Sequence, residues 1–104
     1  MNNMTENIIG LHASLFDDDS GAPITHFVIA QYTIRTLNSP GSQAVLQGYV
    51  SQSAFQAGKR PLTSRVIDVP LVPPGGDVVQ WLYELTPTVE GTDLYGSVPV
   101  TASV

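Results

Sequence analysis

Residues 24–50 constrain the fold more than any other part of the chain, because they combine two strand patterns with a turn. The segment 24–37 is rich in Ile, Val, Thr, Tyr and Phe, which fit a pleated, half-buried surface. Asn38-Ser39-Pro40-Gly41 is typical of a turn, and residues 43–50 then alternate again. Since the turn is short, we expect an antiparallel hairpin. In its first strand, one face is expected to hold Val28, Ala30, Tyr32 and Ile34.

Three further segments have strand character. Residues 8–16 alternate loosely and precede a cluster of turn-forming residues that begins with three aspartates. Residues 62–72 are also strand-like, and Pro70 indicates an edge or a bulge at their far end, because proline donates no ladder hydrogen bond. The tail, 88–104, contains no Lys or Arg. It predicts a loop, followed either by a disordered end or by a strand over Ser97–Val104 that pairs with its own sheet or a neighbour's edge.

Two short helices complete the prediction. Ser51 or Ser53 can cap one or two helical turns near 52–57, which Gly58 is placed to end. Asp77 is a candidate N-cap for a second helix near 78–85, which Pro87 stops. Its apolar stripe has helical spacing and consists of Val78, Trp81, Leu82 and Leu85.

These elements predict one domain over residues 1–104, because chains of this length typically form one domain. The fold class is mainly β (α+β), a small antiparallel sheet or sandwich with one or two short helices. Flexibility is expected at the ends, residues 1–7 and 92–104. The expected core is Leu11, Leu15, Val28, Ala30, Tyr32, Ile34, Leu46, Tyr49, Phe55, Val66, Ile67 and Trp81.

Composition excludes several functional classes. Only 12% of residues are charged, against roughly a quarter in typical domains. Four basic residues in a chain of net charge −5 argue against nucleic-acid binding. The absence of cysteine excludes disulfides and thiolate chemistry. The first residues lack the features of a signal peptide, and no apolar run approaches the length of a membrane helix, so we expect a protein that is assembled in the cytoplasm without a membrane partner.

No residue pattern predicts catalysis. The aspartates at 17–19 raise the possibility of calcium binding, but Gly21 comes one position too early for an EF-hand and no Glu closes the loop, so an Asx turn is favoured. His12 and His26 lie in predicted strands without the nucleophile and acid that a catalytic base needs, so both are expected on strand surfaces. We therefore expect no enzyme activity, no metal, no cofactor and no small-molecule substrate.

The remaining candidates concern protein–protein contacts. Pro70 to Pro73 matches a PxxP pattern, but a rigid connector is the favoured interpretation. Lys59 and Arg60 are either solvated loop charges or a contact to an acidic partner. Tyr83 is two residues from Trp81 and so points away from the expected core. The candidate interface residues are Tyr83, Leu94, Tyr95, Val98, Val100, Lys59 and Arg60.

The segment 47–69, QGYVSQSAFQAGKRPLTSRVIDV, resembles small proteins encoded among the structural genes of tailed bacteriophages. In that family a strand is followed by a segment of the type x-A-aromatic-x-A-G-K-x-P-L. Trp81-Leu82-Tyr83-Glu84, followed by Pro87 and Glu90-Gly91, is similar to the helix and turn near the family's C-termini. The resemblance covers about half of the chain and implies a virion or assembly component without an active site.

Two interpretations follow. The first is a non-catalytic virion component of the tail, baseplate or fibre region, which contacts other virion proteins and forms a homo-oligomer or symmetric assembly. The second is a small acidic inhibitor or adaptor that binds a host protein, although most of the acids are scattered. A small enzyme or ligand-binding domain is a third, less favoured alternative.

Overall fold

The structure is a computed structural model that describes residues 7–102. The five strands are β1 (Ile8–Phe16), β2 (Pro23–Arg35), β3 (Gly41–Tyr49), β4 (Thr63–Val69) and β5 (Val98–Thr101). The helices are α1 (Gln52–Gln56) and α2 (Val78–Leu85), and a 3-10 turn (Thr86–Thr88) follows α2.

The strands form one open sheet in the order β4-β3-β2-β1-β5, and each pair of neighbours is antiparallel. The predicted fold class is therefore confirmed as a mainly β fold with two short helices, and its architecture is a sheet and not a sandwich. The predicted hairpin is β2–β3, and the left-handed backbone of Asn38 and Ser39 closes it. β4 is an edge strand that ends one residue before Pro70, as the missing N–H of proline requires.

The main core lies between one face of the sheet and α2. It consists of Leu11, Ile24, Phe27, Ala44, Leu46, Ile67, Val69, Leu82, Tyr83 and Leu94. Gly48 also lies on this face, and a methyl group there would come within 2.6 Å of the Phe27 ring. Only a residue without a side chain leaves room for that ring at this position.

A bulge in β2 changes which side chains face the core. Ile29 pairs with Leu46 and Gln31 with Val45, so Ala30 is the extra residue. Phe27 therefore faces the core and Ile29 packs against it, while Val28 points to the opposite face. The predicted set of Val28, Ala30, Tyr32 and Ile34 is therefore wrong as one core face, because the bulge changes the phase of the alternation. Beyond it, Tyr32 and Ile34 pair with Ala44 and Ser42 on the core side, but neither is buried.

The other predicted core residues include some that are confirmed and some that lie on the opposite side of the sheet. Leu11, Leu46 and Ile67 are confirmed, and Leu15 and Trp81 pack against the core while partly buried. Tyr49 is buried on the opposite face, next to Phe55. Phe55 and Val66 were wrong as core residues, because both lie on that opposite side of the sheet, where they are exposed.

Both predicted helices form where the capping residues indicate. The Ser51 hydroxyl accepts a hydrogen bond from the Ala54 N–H at 3.1 Å, and Gly58 follows the helix with a φ of 78°. The Asp77 carboxylate accepts from the Gln80 N–H at 3.2 Å. The α2 axis continues for one 3-10 turn that contains Pro87.

The tail pairs with its own sheet over Val98–Thr101, which lies antiparallel to β1. Of the two alternatives for the tail, the strand that pairs with its own sheet is the one that forms, because β5 supplies ladder hydrogen bonds to an edge of β1. The expected flexibility of 1–7 and 92–104 stays a prediction, and residues 1–6 and 103–104 lie outside the described residues.

Candidate interaction surface

The face of the sheet opposite α2 presents a regular array of side chains from β2, β3 and β4. Strand register places nine of them in three rows, and none of the nine is buried. We call this array the open face, and its rows are Val28–Gln47–Ser64, Gln31–Val45–Val66 and Thr33–Gln43–Asp68. Val66 is 57% exposed at its centre. An apolar centre between amides and hydroxyls is thus accessible across three strands.

The open face carries almost no charge. Asp68 is its one ionisable side chain, and the Gln43 amide donates a hydrogen bond to this carboxylate at 3.0 Å. The remaining described acids lie on turns, connecting segments or the helical side of the sheet, namely Asp17, Asp18, Asp19, Asp77, Glu84, Glu90 and Asp93. Although the chain has a net charge of −5, the electrostatic potential at the open face is therefore expected to be weak.

Helix α1 covers one end of this side of the sheet. The Phe55 ring lies 4.9 Å from the Tyr49 ring and 5.5 Å from the His26 ring. His26 and Tyr49 are cross-strand partners, one row beyond the start of the open face. The short helix thus forms a wall at the end where β3 finishes and β4 begins.

His26 serves packing in this wall. Its side chain is buried, and the Nε2 atom has no hydrogen-bond partner. Burial, with a smaller contribution from His12, lowers the pKa of His26. Gly10 permits this arrangement, because a methyl group there would lie 2.5 Å from the imidazole ring. The expectation that both histidines lie on strand surfaces holds for His12, which is exposed, and is wrong for His26, whose ring packs inside this wall.

The acidic segment forms a closed turn. The Asp17 carboxylate accepts hydrogen bonds from the Ser20 hydroxyl at 2.7 Å and the Ser20 N–H at 3.0 Å. These bonds lower the pKa of Asp17. The favoured Asx turn is therefore what Asp17 forms. Within residues 7–102, no three His, Asp or Glu side chains come together as a metal-binding group.

A cleft opens where β5 stops pairing with β1. The last paired residues are His12 and Val98, so among residues 7–102 no strand pairs with this edge of β1 from Ala13 onward. The cleft has a volume of about 340 Å³ and is also lined by Tyr95 and Ser97. Its position makes it a second exposed surface, at the opposite edge of the sheet from β4.

The predicted interface residues fall into three groups. Tyr83 and Leu94 are buried, so the expected exposure of Tyr83 is wrong. The Tyr83 hydroxyl accepts a hydrogen bond from the Ile29 N–H at 3.0 Å, at the bulge of β2, which draws the ring into the core. Leu94 lies in the segment that leads to β5, and its side chain is part of the core.

The second group lies near the cleft. Tyr95 and Val98 are exposed and line it, while Val100 is partly buried in β5. The third group, Lys59 and Arg60, is exposed between α1 and β4. The Lys59 N–H donates to the Ala54 carbonyl at 3.0 Å, which holds this loop against the end of α1. Contact of these residues with a partner stays a prediction.

The segment from Pro70 to Pro73, which follows β4, is held against the sheet edge by two hydrogen bonds at Leu71. The Ser42 hydroxyl donates to the Leu71 carbonyl at 2.7 Å, and the Leu71 N–H donates to the Val69 carbonyl at the same distance.

Sequence reasoning did not identify the open face. The sequence feature that could have revealed it is that the polar positions of β2 and β3 hold glutamine and threonine where charged residues are usual. Gln31, Gln43 and Gln47 show this pattern. The bulge hid the signal, because it shifts the phase of β2 between Val28 and Gln31.

No protein-family model, curated protein or solved structure matched this chain. In the part of the chain that the structure describes, no helix is long and apolar enough to cross a membrane.

Proposed function

We propose that this protein is a non-catalytic assembly protein that acts through protein–protein contacts. The observation that carries the proposal is the open face, which is accessible, apolar at its centre and nearly free of charge. Interface centres are depleted in charged residues, whereas ordinary exposed sheet faces carry them. The low overall content of charged residues agrees with such a role.

The proposed setting is a bacteriophage virion, in its tail, baseplate or fibre region, with assembly in the host cytoplasm. The resemblance of residues 47–69 to proteins encoded among phage structural genes supports this setting. In such a particle the protein would contact other virion proteins and repeat with the symmetry of the particle.

The alternative is a small acidic adaptor that binds a host protein. The observation that favours it is the position of Asp18 and Asp19, which are exposed on a turn held by Asp17. Binding by this surface would depend on charge and would weaken at high salt.

One experiment separates the two. The chain, carrying an affinity tag, is produced in cells that make the encoding virus, and its amount in gradient-purified particles is measured by quantitative mass spectrometry. We expect a fixed ratio to a major virion protein, and absence from particles would contradict the virion setting.

Two variants then assign the contact. Val66→Lys places a charge at the centre of the open face and is expected to reduce incorporation, while Asp18→Asn with Asp19→Asn is expected to leave it unchanged. The reverse result, with a host protein lost from the tagged chain in the aspartate variant, would support the adaptor instead.

A further inference from the structure

We infer that the partner of the open face is a second copy of this chain, packed face to face about a two-fold axis that runs across the strands. The inference rests on the proposed role of the open face in protein–protein contact, and it names the occupant of that face.

Chemical self-complementarity is the first reason. The central row contributes Val45 and Val66, whose methyl groups pack against identical groups. The glutamines of the face carry amides that both donate and accept, so two copies can satisfy one another. Self-association also has to overcome the net charge of −5, and the open face is the sheet surface on which like charges are nearly absent.

The position of α1 determines the direction of the axis. The helix stands on the same side as the open face, at the end marked by His26 and Tyr49. An axis parallel to the strands would bring the two α1 helices to the same end, where they would collide. An axis across the strands places them at opposite ends, so each α1 lies beyond the far end of the other copy's face.

This axis also brings opposite charges of the two copies towards each other. Rotation about it places β4 over β4 in opposite directions. Asp68 lies towards the end of β4, and Lys59 and Arg60 lie just before its start. The one carboxylate of the open face in each copy is therefore brought towards the basic pair of the other copy. Two symmetric charge contacts would flank the contact between the central valines.

The open face alone supports only a weak dimer. Strands about 4.8 Å apart with about 3.3 Å per residue give its three strands, over five residues of β3 and β4, an area of about 14 by 17 Å. Two such faces cover about 480 Å², so the α1 helices and the loops beside them must contribute about as much again to reach the lower limit of about 1,000 Å² for a specific interface. We therefore expect weak association, with the dimer populated only at the upper end of the concentrations tested.

The test is light scattering coupled to size-exclusion chromatography of the whole chain, from about 1 μM to about 1 mM. The expected result is a monomer–dimer equilibrium. Val66→Lys should raise the dissociation constant about tenfold or more, because a charge would be buried between the copies. Tyr32→Lys is the matched control: Tyr32 is 42% exposed and also in a strand, but its pairing with the core residue Ala44 places it on the other side of the sheet. Circular dichroism checks that both variants fold, and Gln47→Lys replaces Val66→Lys if the latter does not.

A charge exchange tests the axis. Asp68→Lys should weaken the dimer about tenfold, and combination with Lys59→Glu and Arg60→Glu should restore it. Asp18→Lys, on the β1–β2 turn, makes the same change in net charge and should not weaken it. Failure of the combined variant to recover would overturn the proposed axis.

Two results would overturn the second copy as partner: a monomer at every concentration, or a dimer that Tyr32→Lys weakens and Val66→Lys does not. Neither result would by itself contradict the proposed assembly function. That function fails separately, if the chain is absent from purified particles.

Discussion

Replacing Tyr83 with phenylalanine removes one oxygen atom from the core and tests how β2 tolerates its bulge. The extra residue, Ala30, disturbs the ladder, and the neighbouring Ile29 N–H donates to the Tyr83 hydroxyl at 3.0 Å. Tyr83 is 3% exposed, so water cannot readily replace the lost acceptor. A buried donor left without a partner costs about 1–3 kcal/mol, and we expect Tyr83→Phe to lower the free energy of unfolding by this amount.

Urea unfolding followed by circular dichroism measures that loss. In a domain of this size, each kcal/mol corresponds to a decrease in Tm of about 4–8 °C. Amide hydrogen exchange provides a local measurement, because the Ile29 N–H should exchange faster in the variant while amides in the middle of β3 change only with global stability.

Tyr32→Phe is the matched control, since Tyr32 lies on the same strand but is 42% exposed. It should change the free energy of unfolding by less than about 0.5 kcal/mol, as surface substitutions usually do. A Tyr83→Phe variant that is as stable as the control, with unchanged exchange at Ile29, would refute the proposed role of this hydrogen bond.

Three further predictions follow from the packing. Gly48→Ala should lower the free energy of unfolding by about 1–3 kcal/mol, because its methyl group would lie 2.6 Å from the Phe27 ring; urea unfolding measures this. Stability should decrease as the pH falls below about 6.5, because burial lowers the pKa of folded His26 and the unfolded chain therefore binds the proton first. The decrease should stop below the folded pKa, and His26→Gln should reduce it more than His12→Gln. Asp77→Ala should lower the free energy of unfolding by about 1 kcal/mol through loss of the α2 N-cap, with a matching decrease in Tm.

Each of these three predictions would be contradicted by a different result. A Gly48→Ala variant of unchanged stability would mean that Phe27 moves without cost. A pH dependence that His26→Gln leaves intact would assign the effect to other groups. An Asp77→Asn variant that loses as much stability as Asp77→Ala would show that the cap hydrogen bond is not responsible, because an Asn amide oxygen can still accept it.

The open face shows the limit of pattern reasoning for function. Its polar residues are visible in the sequence, but their common side depends on which strands are neighbours and in which register. Tyr83 shows the converse error, since its spacing from Trp81 indicated exposure while the bulge of β2 supplied a buried donor for its hydroxyl. Lys59 and Arg60 are predicted contact residues from charge alone, and their position before β4 relates them to Asp68 only across the proposed dimer.

The local features of this protein can be read from residues that lie close together in the chain. Ser51 and Asp77 begin the helices, Gly58 follows the first, and the segment 38–41 joins the two strands of the hairpin, because each depends on backbone preferences within a few residues. The long-range features depend on how distant segments pack together. The phase of β2 changes at Ala30, the tail pairs with β1, and the open face is left uncovered by α2. These depend on contacts between segments far apart in the chain, where alternating patterns fit either face of a sheet and packing selects one.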